Sequence, residues 1–300
     1  MRQFTPITAG TRVALVAPAG PLKAGDLQRA IANCKTLGWE PVVGTYAEEQ
    51  QDYFAGPDEL RVSDFNAALR DDSVAAIWCL RGGYGAMRLL EQLDFKALKR
   101  TPKAIIGFSD ITAIHSAVAL KAGLCSIHGP TARGILTPFS EKSLRAATSR
   151  REQPAGIAPD AVTLVGGKAR GRLIGGNLSL LSALHGTPWQ PLYDGAILVV
   201  EDVGEAPYRI ERMLLQLRLS GDLQKCAGLA FGQFTDPAQD ASIGGTTRTV
   251  ADVLTEAARL ANIPAISGIP LGHVEEQWSL PLGADAELDA DAKALTILNL

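Results

Sequence analysis

The chain has 300 residues, is 46% hydrophobic and 20% charged, and carries a formal net charge of -3. This is the composition of a globular protein that can bury full cores without disulfide or metal staples, and its length points to two domains. With Lys and Arg dispersed along a slightly acidic chain, nucleic acid and anionic membrane surfaces find no support as partners, and a small molecule is expected.

In chain order, "RVALVAP" (12–18) is a short β-rich run ending in a turn. The helix "AGDLQRAIANCKTLG" follows, with Leu27, Ile31, Cys34 and Leu37 at helical spacing and Gly38 closing it. "WEPVVG" returns to strand, "PDELRVSDFNAALRD" (57–71) is a helix opened by proline, and "VAAIWCL" (74–80) is a strand. The glycine turn "RGGYG" leads into a helix "AMRLLEQL", then the strand "KAIIGF" and the helix "DITAIHSAVALKAG". Continuously apolar strands separated by amphipathic helices predict a parallel sheet covered on both faces.

The periodicity fades from Pro138 to Gly167, so 138–167 is expected to be a linker between an N-terminal domain, 1–137, and a C-terminal domain, 168–300. The second domain opens near "ARGRLIGGNLSLLSAL", contains the strand "GAILVVED" (195–202), the helix "PYRIERMLLQLRLSG" (207–221) and the strand "CAGLAFGQF", then a helix near "RTVADVLTEAARLAN", and ends in a strand-rich tail, "ALTILNL". Cys34, Cys79, Cys125 and Cys226 are isolated, without C-x-x-C spacing, and read as buried reduced thiols rather than disulfides or a zinc site. "VALVAPAG" has too brief an apolar core for a signal peptide and reads as a first strand. No run approaches the roughly 20 apolar residues of a membrane span, so a soluble, cytoplasmic protein is expected.

In open parallel sheets, ligands bind beyond the carboxyl ends of strands. Arg81, Ser109 and Glu201 fall at such ends, and His273 follows "AISGIPLG". Ser109 in "GFSD" has two readings. It is an N-cap, or it is a nucleophile on a strand-to-helix turn whose helix N-terminus supplies backbone donors. Gly107 favours a sharp turn, but Ile111 stands where a G-x-S-x-G elbow has its second glycine. "LRGGYGAMRLL" is either a tight connection or an anion-binding turn whose Gly83 could complete an oxyanion hole. Glu201 and Asp202 are either solvated strand ends or carboxylates that orient a histidine. His273 lies in a Gly/Pro-rich loop, while His115, His128 and His185 show no metal-ligand spacing with one another or with it. Together, a serine, a carboxylate and a histidine in that chain order describe acyl transfer.

The motifs "RGGYGA", "GFSD", "LIGGNLSLL", "LVVEDVGEAPYRIERML" and "GIPLGH", in this order along nearly the whole chain, resemble the LD-carboxypeptidases of serine peptidase family S66. This family includes murein tetrapeptide carboxypeptidases and microcin C immunity peptidases. The resemblance implies a flavodoxin-like N-terminal α/β domain and a C-terminal α/β domain with a small β-barrel-like core. It also implies a Ser109–His273–Glu201 triad, oxyanion donors on the backbone of Gly83 and Asp110, a homodimer, and no metal or organic cofactor. The implied activity removes the terminal D-alanine of murein tetrapeptide in cytoplasmic cell-wall recycling. An exopeptidase must also grip a free carboxylate, for which Arg81 and Arg209 are candidates, unless they pair with Glu205 or Glu211. Trp278 either lines the pocket or packs in the core. A non-catalytic protein that binds ligand in its cleft is the alternative from another class.

Overall fold

The computed structural model describes residues 1–237 and 248–298. In chain order the first half comprises β1 (Arg12–Val16), α1 (Asp26–Thr36), β2 (Glu40–Val43), α2 (Asp58–Arg70), β3 (Ala76–Cys79), α3 (Phe95–Arg100), β4 (Ala104–Gly107), α4 (Thr112–Ala117), β5 (Ser126–His128) and α5 (Pro138–Ser149). The remainder comprises β6 (Val162–Val165), β7 (Lys168–Asn177), α6 (Leu178–Leu184), β8 (Ala196–Val203), α7 (Pro207–Leu219), α8 (Asp222–Lys225), β9 (Gly228–Thr235), α9 (Val250–Ala261), β10 (Ala265–Ser267), β11 (Leu280–Leu282), β12 (Asp285–Asp289) and β13 (Ala294–Ile297). The expected helix at "AMRLLEQL" is a 3-10 helix over Ala86–Gln92, and a 3-10 turn spans Ser109–Ile111.

The chain forms two compact units. Met1–Pro154 with Gln277–Gly283 makes the first, and Ala155–Glu276 with the stretch from Ala284 onward makes the second. In the first, six strands run in the order β11-β5-β4-β3-β1-β2, all parallel except β11. The order β2-β1-β3-β4-β5 is flavodoxin-like, as expected. "AIWC" of β3 and "AIIG" of β4 are buried at every position, which is why they are apolar throughout rather than alternating. Leu15, Trp78 and Ile106 pack with Leu27, Ala30 and Cys34 of α1 in one core. Trp78 contributes a large apolar surface without an orphaned donor, because its Nε1–H donates to the Pro130 carbonyl at 2.7 Å.

The stretch 138–167 differs from the linker expected there. Its first part is α5, with Thr137 Oγ1 accepting the Ser140 N–H at 3.2 Å, Pro138 at the first position, and Arg150 in the left-handed conformation (φ 57°) ending it. Leu144 and Ala147 of α5 join the first unit's core. The other inward residues are Ser140, Ser143, Ala146 and Thr148. Such small side chains bury a helix without leaving a visible apolar period.

The second unit holds a seven-stranded sheet in the order β13-β12-β7-β8-β9-β10-β6. Strands β7, β8, β9 and β10 are mutually parallel, and β12, β13 and β6 are antiparallel to their neighbours. The sheet curls as a half-barrel. The chain entering β6 meets β13, with the Ala158 N–H donating to the Lys293 carbonyl at 2.9 Å and the Leu295 N–H to Gly156 at 3.0 Å. Leu181 of α6, Leu214 of α7 and Ala258 of α9 cover Leu198, Val200, Leu229 and Phe231. A capping box between Thr249 and Asp252 starts α9. The tail strand ends at Ile297, and Asn299 and Leu300 lie outside the described residues. No helix among the described residues is long and apolar enough to cross a membrane.

Candidate active site

In the first unit, β3 and β4 are parallel neighbours, with Ala76 opposite Ala104 and Trp78 opposite Ile106. The turns that follow them therefore emerge side by side at the carboxyl end of the sheet. One turn carries Arg81, Gly82 and Gly83, and the other carries Ser109 and Asp110. Ser109 is not the helix cap. That position falls on Phe108, and no side chain caps the turn. Ser109 is instead the first residue of the 3-10 turn, with φ +64°. This left-handed conformation is uncommon outside glycine and stores about 1–3 kcal/mol of strain. Sharp, strained strand-to-helix turns use this backbone conformation to hold a side chain out beyond the sheet's edge.

Three contacts hold that turn. A Cβ on Gly82 would lie 2.9 Å from Ser109 Cβ, so the neighbouring loop can run against the serine only as glycine. A Cβ on Gly107 would lie 3.0 Å from Ile111 Cγ1 and 3.2 Å from Cys79 Cβ. Ile111 thus fills the space above Gly107, and this elbow needs one glycine where G-x-S-x-G uses two. The Gly107 carbonyl accepts hydrogen bonds from the Gly129 N–H at 3.1 Å and from His115 Nε2 at 2.9 Å. Burial pushes His115 down to about 4, so the imidazole is neutral near pH 7 and donates through Nε2.

In the second unit, Glu201 stands opposite Asn177 of β7 and at a register shift between β8 and β9. Such a bulge re-aims a side chain. Glu201 is not a solvated strand end, being 0% exposed, and its Oε2 lies 2.8 Å from His273 Nδ1. Burial pushes the Glu201 carboxyl up, while His273 and then Asn177 favour its charged form. A protonated Nδ1 directed at Glu201 leaves the imidazole lone pair on Nε2, which is the tautomer a general base needs. The approach of the His273 loop depends on two glycines. A Cβ on Gly272 (φ +115°) would lie 2.8 Å from both Cβ and Oε2 of Glu201, and one on Gly232 would lie 2.6 Å from the Leu271 carbonyl. The loop is pinned to β9, with the Gln233 N–H donating to Leu271 at 2.8 Å.

The structure brings Glu201 and His273 together in one unit and Ser109, Asp110 and Gly83 together in the other. Arg81 is half-buried and donates to the Pro21 carbonyl. Arg209 is half-exposed and pairs with Glu205 at 3.8 Å. Trp278 is buried in the segment that rejoins the first unit. Of the other histidines, His115 and His128 are buried, and His185 lies 3.5 Å from Asp222. Asp202 is an organising acid. It accepts from Asn177 Nδ2 at 2.9 Å, the Ser179 N–H at 2.9 Å and Ser179 Oγ at 2.8 Å. Asn177 and Gly272 escaped sequence reasoning. Both lie inside motifs already quoted, Asn177 in "LIGGNLSLL" and Gly272 in "GIPLGH" directly before His273, but neither residue type marks a role by itself.

Two family models match the chain: the LD-carboxypeptidase N-terminal domain of peptidase S66 over residues 13–129 and the LD-carboxypeptidase C-terminal domain over 170–288. A murein tetrapeptide carboxypeptidase from Pseudomonas aeruginosa is 35% identical, over 93% of this chain and 94% of the relative. The crystal structure of a muramoyltetrapeptide carboxypeptidase from Oxalobacter formigenes is 35% identical, with a TM-score of 0.83 over 95% of this chain and 97% of that one. The microcin C7 self-immunity protein MccF, solved in complex with aspartyl sulfamoyl adenosine, shares the fold, with a TM-score of 0.90 and 24% identity over 100% of this chain and 99% of its own. With both halves matched and a relative at this identity along nearly its full length, the chain belongs to peptidase family S66, the LD-carboxypeptidases.

Proposed function

We propose that the protein is a serine LD-carboxypeptidase that hydrolyses the L,D peptide bond of murein tetrapeptide and releases its terminal D-alanine. The observation that carries the reading is the hydrogen bond that His273 Nδ1 donates to the buried Glu201 carboxylate at 2.8 Å. It prepares an imidazole base, and the left-handed Ser109 turn is the kind of backbone on which a nucleophile is presented. The named activity of the Pseudomonas and Oxalobacter relatives supports the substrate.

In this mechanism Ser109 Oγ attacks the carbonyl on the diaminopimelate side of the scissile bond, and His273 Nε2 takes the hydroxyl proton. Glu201 stabilises the imidazolium without taking its proton. The backbone N–H groups of Gly83 and Asp110 receive the oxyanion; losing one such donor typically lowers turnover by about 10²–10³. The imidazolium protonates the departing amine, D-alanine leaves, and water activated by His273 hydrolyses the ester. Arg81 or Arg209 binds the substrate's terminal carboxylate, with Trp278 as a further pocket candidate. The same reading makes the unit of Met1–Pro154 the one that supplies the nucleophile and the unit of Ala155–Glu276 the one that supplies the base and its carboxylate partner, in a cytoplasmic homodimer that recycles wall peptides.

Replacing Ser109 by Ala should lower D-alanine release from murein tetrapeptide by about 10⁴-fold or more. Wild-type turnover in that variant would remove Ser109 from the chemistry, whereas no D-alanine release even from the wild-type protein would favour the non-catalytic, cleft-binding reading. A second reading, cleavage of aminoacyl nucleotide analogues, is favoured by the fold shared with MccF. Comparing kcat/KM for tetrapeptide and for aspartyl sulfamoyl adenosine decides between them.

A further inference from the structure

The side chain next to the nucleophile has no part in the mechanism above, yet it is as buried as the core. Asp110 is 1% exposed, and its Oδ2 accepts the N–H of Ala86 at 2.7 Å. That bond crosses from the turn after β4 to the turn after β3. From the Asp110 position the chain runs back one residue to Ser109, and from Ala86 it runs back three residues to Gly83. On its far side the Gly85–Ala86 stretch is backed by Arg61 and Phe54. A Cβ on Gly85 would lie 2.6 Å from Arg61 Nη1 and 2.8 Å from the Phe54 ring. Arg61 is itself 2% exposed and fixed by the Pro18 carbonyl at 2.6 Å and by the Asp58 carboxylate. The glycine turn is thus gripped between an immobilised guanidinium with its ring and the Asp110 carboxylate.

Glycines alone cannot hold such a turn. Gly83 and Gly85 have φ of +108° and +125°, a region that glycine enters freely and leaves as freely. Steric contact at Gly82 bounds the turn on the Ser109 side, Arg61 and Phe54 back it at Gly85, and the Gly20 N–H ties the Gly82 carbonyl to the loop after β1 at 2.9 Å. None of these contacts links the turn by a directional bond to the turn that carries Ser109; the Asp110–Ala86 bond does.

We propose that the Asp110 carboxylate is a positioning residue that clamps the Gly82–Ala86 turn to the nucleophile turn and so fixes the spacing between the Gly83 N–H and Ser109. The inference rests on the serine-peptidase reading, since spacing matters only if those groups share an oxyanion. A displacement of about 1 Å at such a site typically lowers turnover by about 10².

The test compares Asp110→Ala and Asp110→Asn in the full chain, with murein tetrapeptide as substrate and exchange of the Ala86 amide followed by NMR. Asp110→Ala should lower kcat by about 10²-fold with KM changed less than about threefold, and should speed Ala86 exchange. Asn keeps a carbonyl acceptor at Oδ1, so Asp110→Asn should recover at least about tenfold of the lost kcat and restore slow exchange. Should the alanine variant not fold, the asparagine variant alone decides, because kcat as low as about 10⁻² of wild type would show that charge, not the bond, is what matters. Unchanged Ala86 exchange in Asp110→Ala would also overturn the clamp. Failure of the parent reading looks different: Ser109→Ala would remain active while Asp110→Ala still frees the Ala86 amide.

Discussion

Replacing Gly272 by Ala tests how tightly the acid–base pair is built. The new methyl would sit 2.8 Å from Cβ and Oε2 of Glu201 and 3.1 Å from its Cγ. Carbon atoms in contact sit about 3.5 Å apart or more, so the loop must retreat by roughly 0.7 Å. Glu201 cannot give way, because it is fully buried and its carboxylate is held by His273. Retreat would stretch the 2.8 Å hydrogen bond to about 3.5 Å, the edge of a hydrogen bond. The φ of +115° adds backbone strain of about 1–3 kcal/mol for a residue with a side chain. Turnover of tetrapeptide should fall by about 10² and unfolding free energy by about 2–4 kcal/mol. Gly204→Ala is the control, since Gly204 also has positive φ (+74°) but meets nothing within 4 Å. It should lose about 1 kcal/mol of stability and little activity. The two measurements are D-alanine release and urea unfolding. If Gly272→Ala matched Gly204→Ala in both, the packing of the loop against Glu201 would not govern the base.

Glu201→Gln should lower kcat by about 10⁴, because the amide cannot stabilise an imidazolium; loss of less than about tenfold would remove Glu201 from the mechanism. Two buried groups of the nucleophile turn oppose each other in acid. His115, pushed down from 6.5 to about 4 by burial, contributes stability above 6.5 that is lost as pH falls through about 4. Asp110, pushed up from 3.8 to about 6 by burial, contributes stability below 3.8 that is lost as pH rises through about 6. Each shift corresponds to about 3 kcal/mol, so between pH 4 and 6 the slopes nearly cancel; Asp110→Asn should show a steeper loss on acidification by urea unfolding, and an unchanged slope would refute the balance. The four cysteines are buried, with Cys34 and Cys226 pushed up to about 12 by burial. A thiol reagent should therefore find no fast-reacting group until the chain is unfolded, and one that reacts within seconds in the native protein would contradict that burial.

Strands β3 and β4 were legible because a strand buried on both faces must be apolar throughout, and that leaves an unbroken run in the sequence. Helix α5 was not, since its buried face is mostly serine, alanine and threonine, although Thr-Pro at 137–138 is a cap followed by a first-turn proline. Three-residue β11 carries no period at all, so its return to the first unit could not be read. At the site, residue types and chain order pointed to Ser109, Glu201 and His273. What stayed hidden was backbone geometry. A serine ahead of a helix favours a cap by local rules, and only the neighbouring Gly82, Gly107 and Ile111 make the left-handed turn the better solution. The burial of Glu201 likewise depends on glycines remote in sequence, at 232 and 272.

Those glycines have a consequence for how the protein can vary. On two sides the pocket of Glu201 is walled by main chain, the one part of a protein that a point mutation does not rewrite. Random substitution at 232 or 272 destroys the pocket instead of adjusting it. The side chain facing Glu201 across the strand pair is Asn177, which favours the ionised acid. Side-chain substitution can therefore adjust the charge balance at Glu201 from the flanking positions 202 and 177, where Asp202 opposes and Asn177 favours the ionised carboxyl.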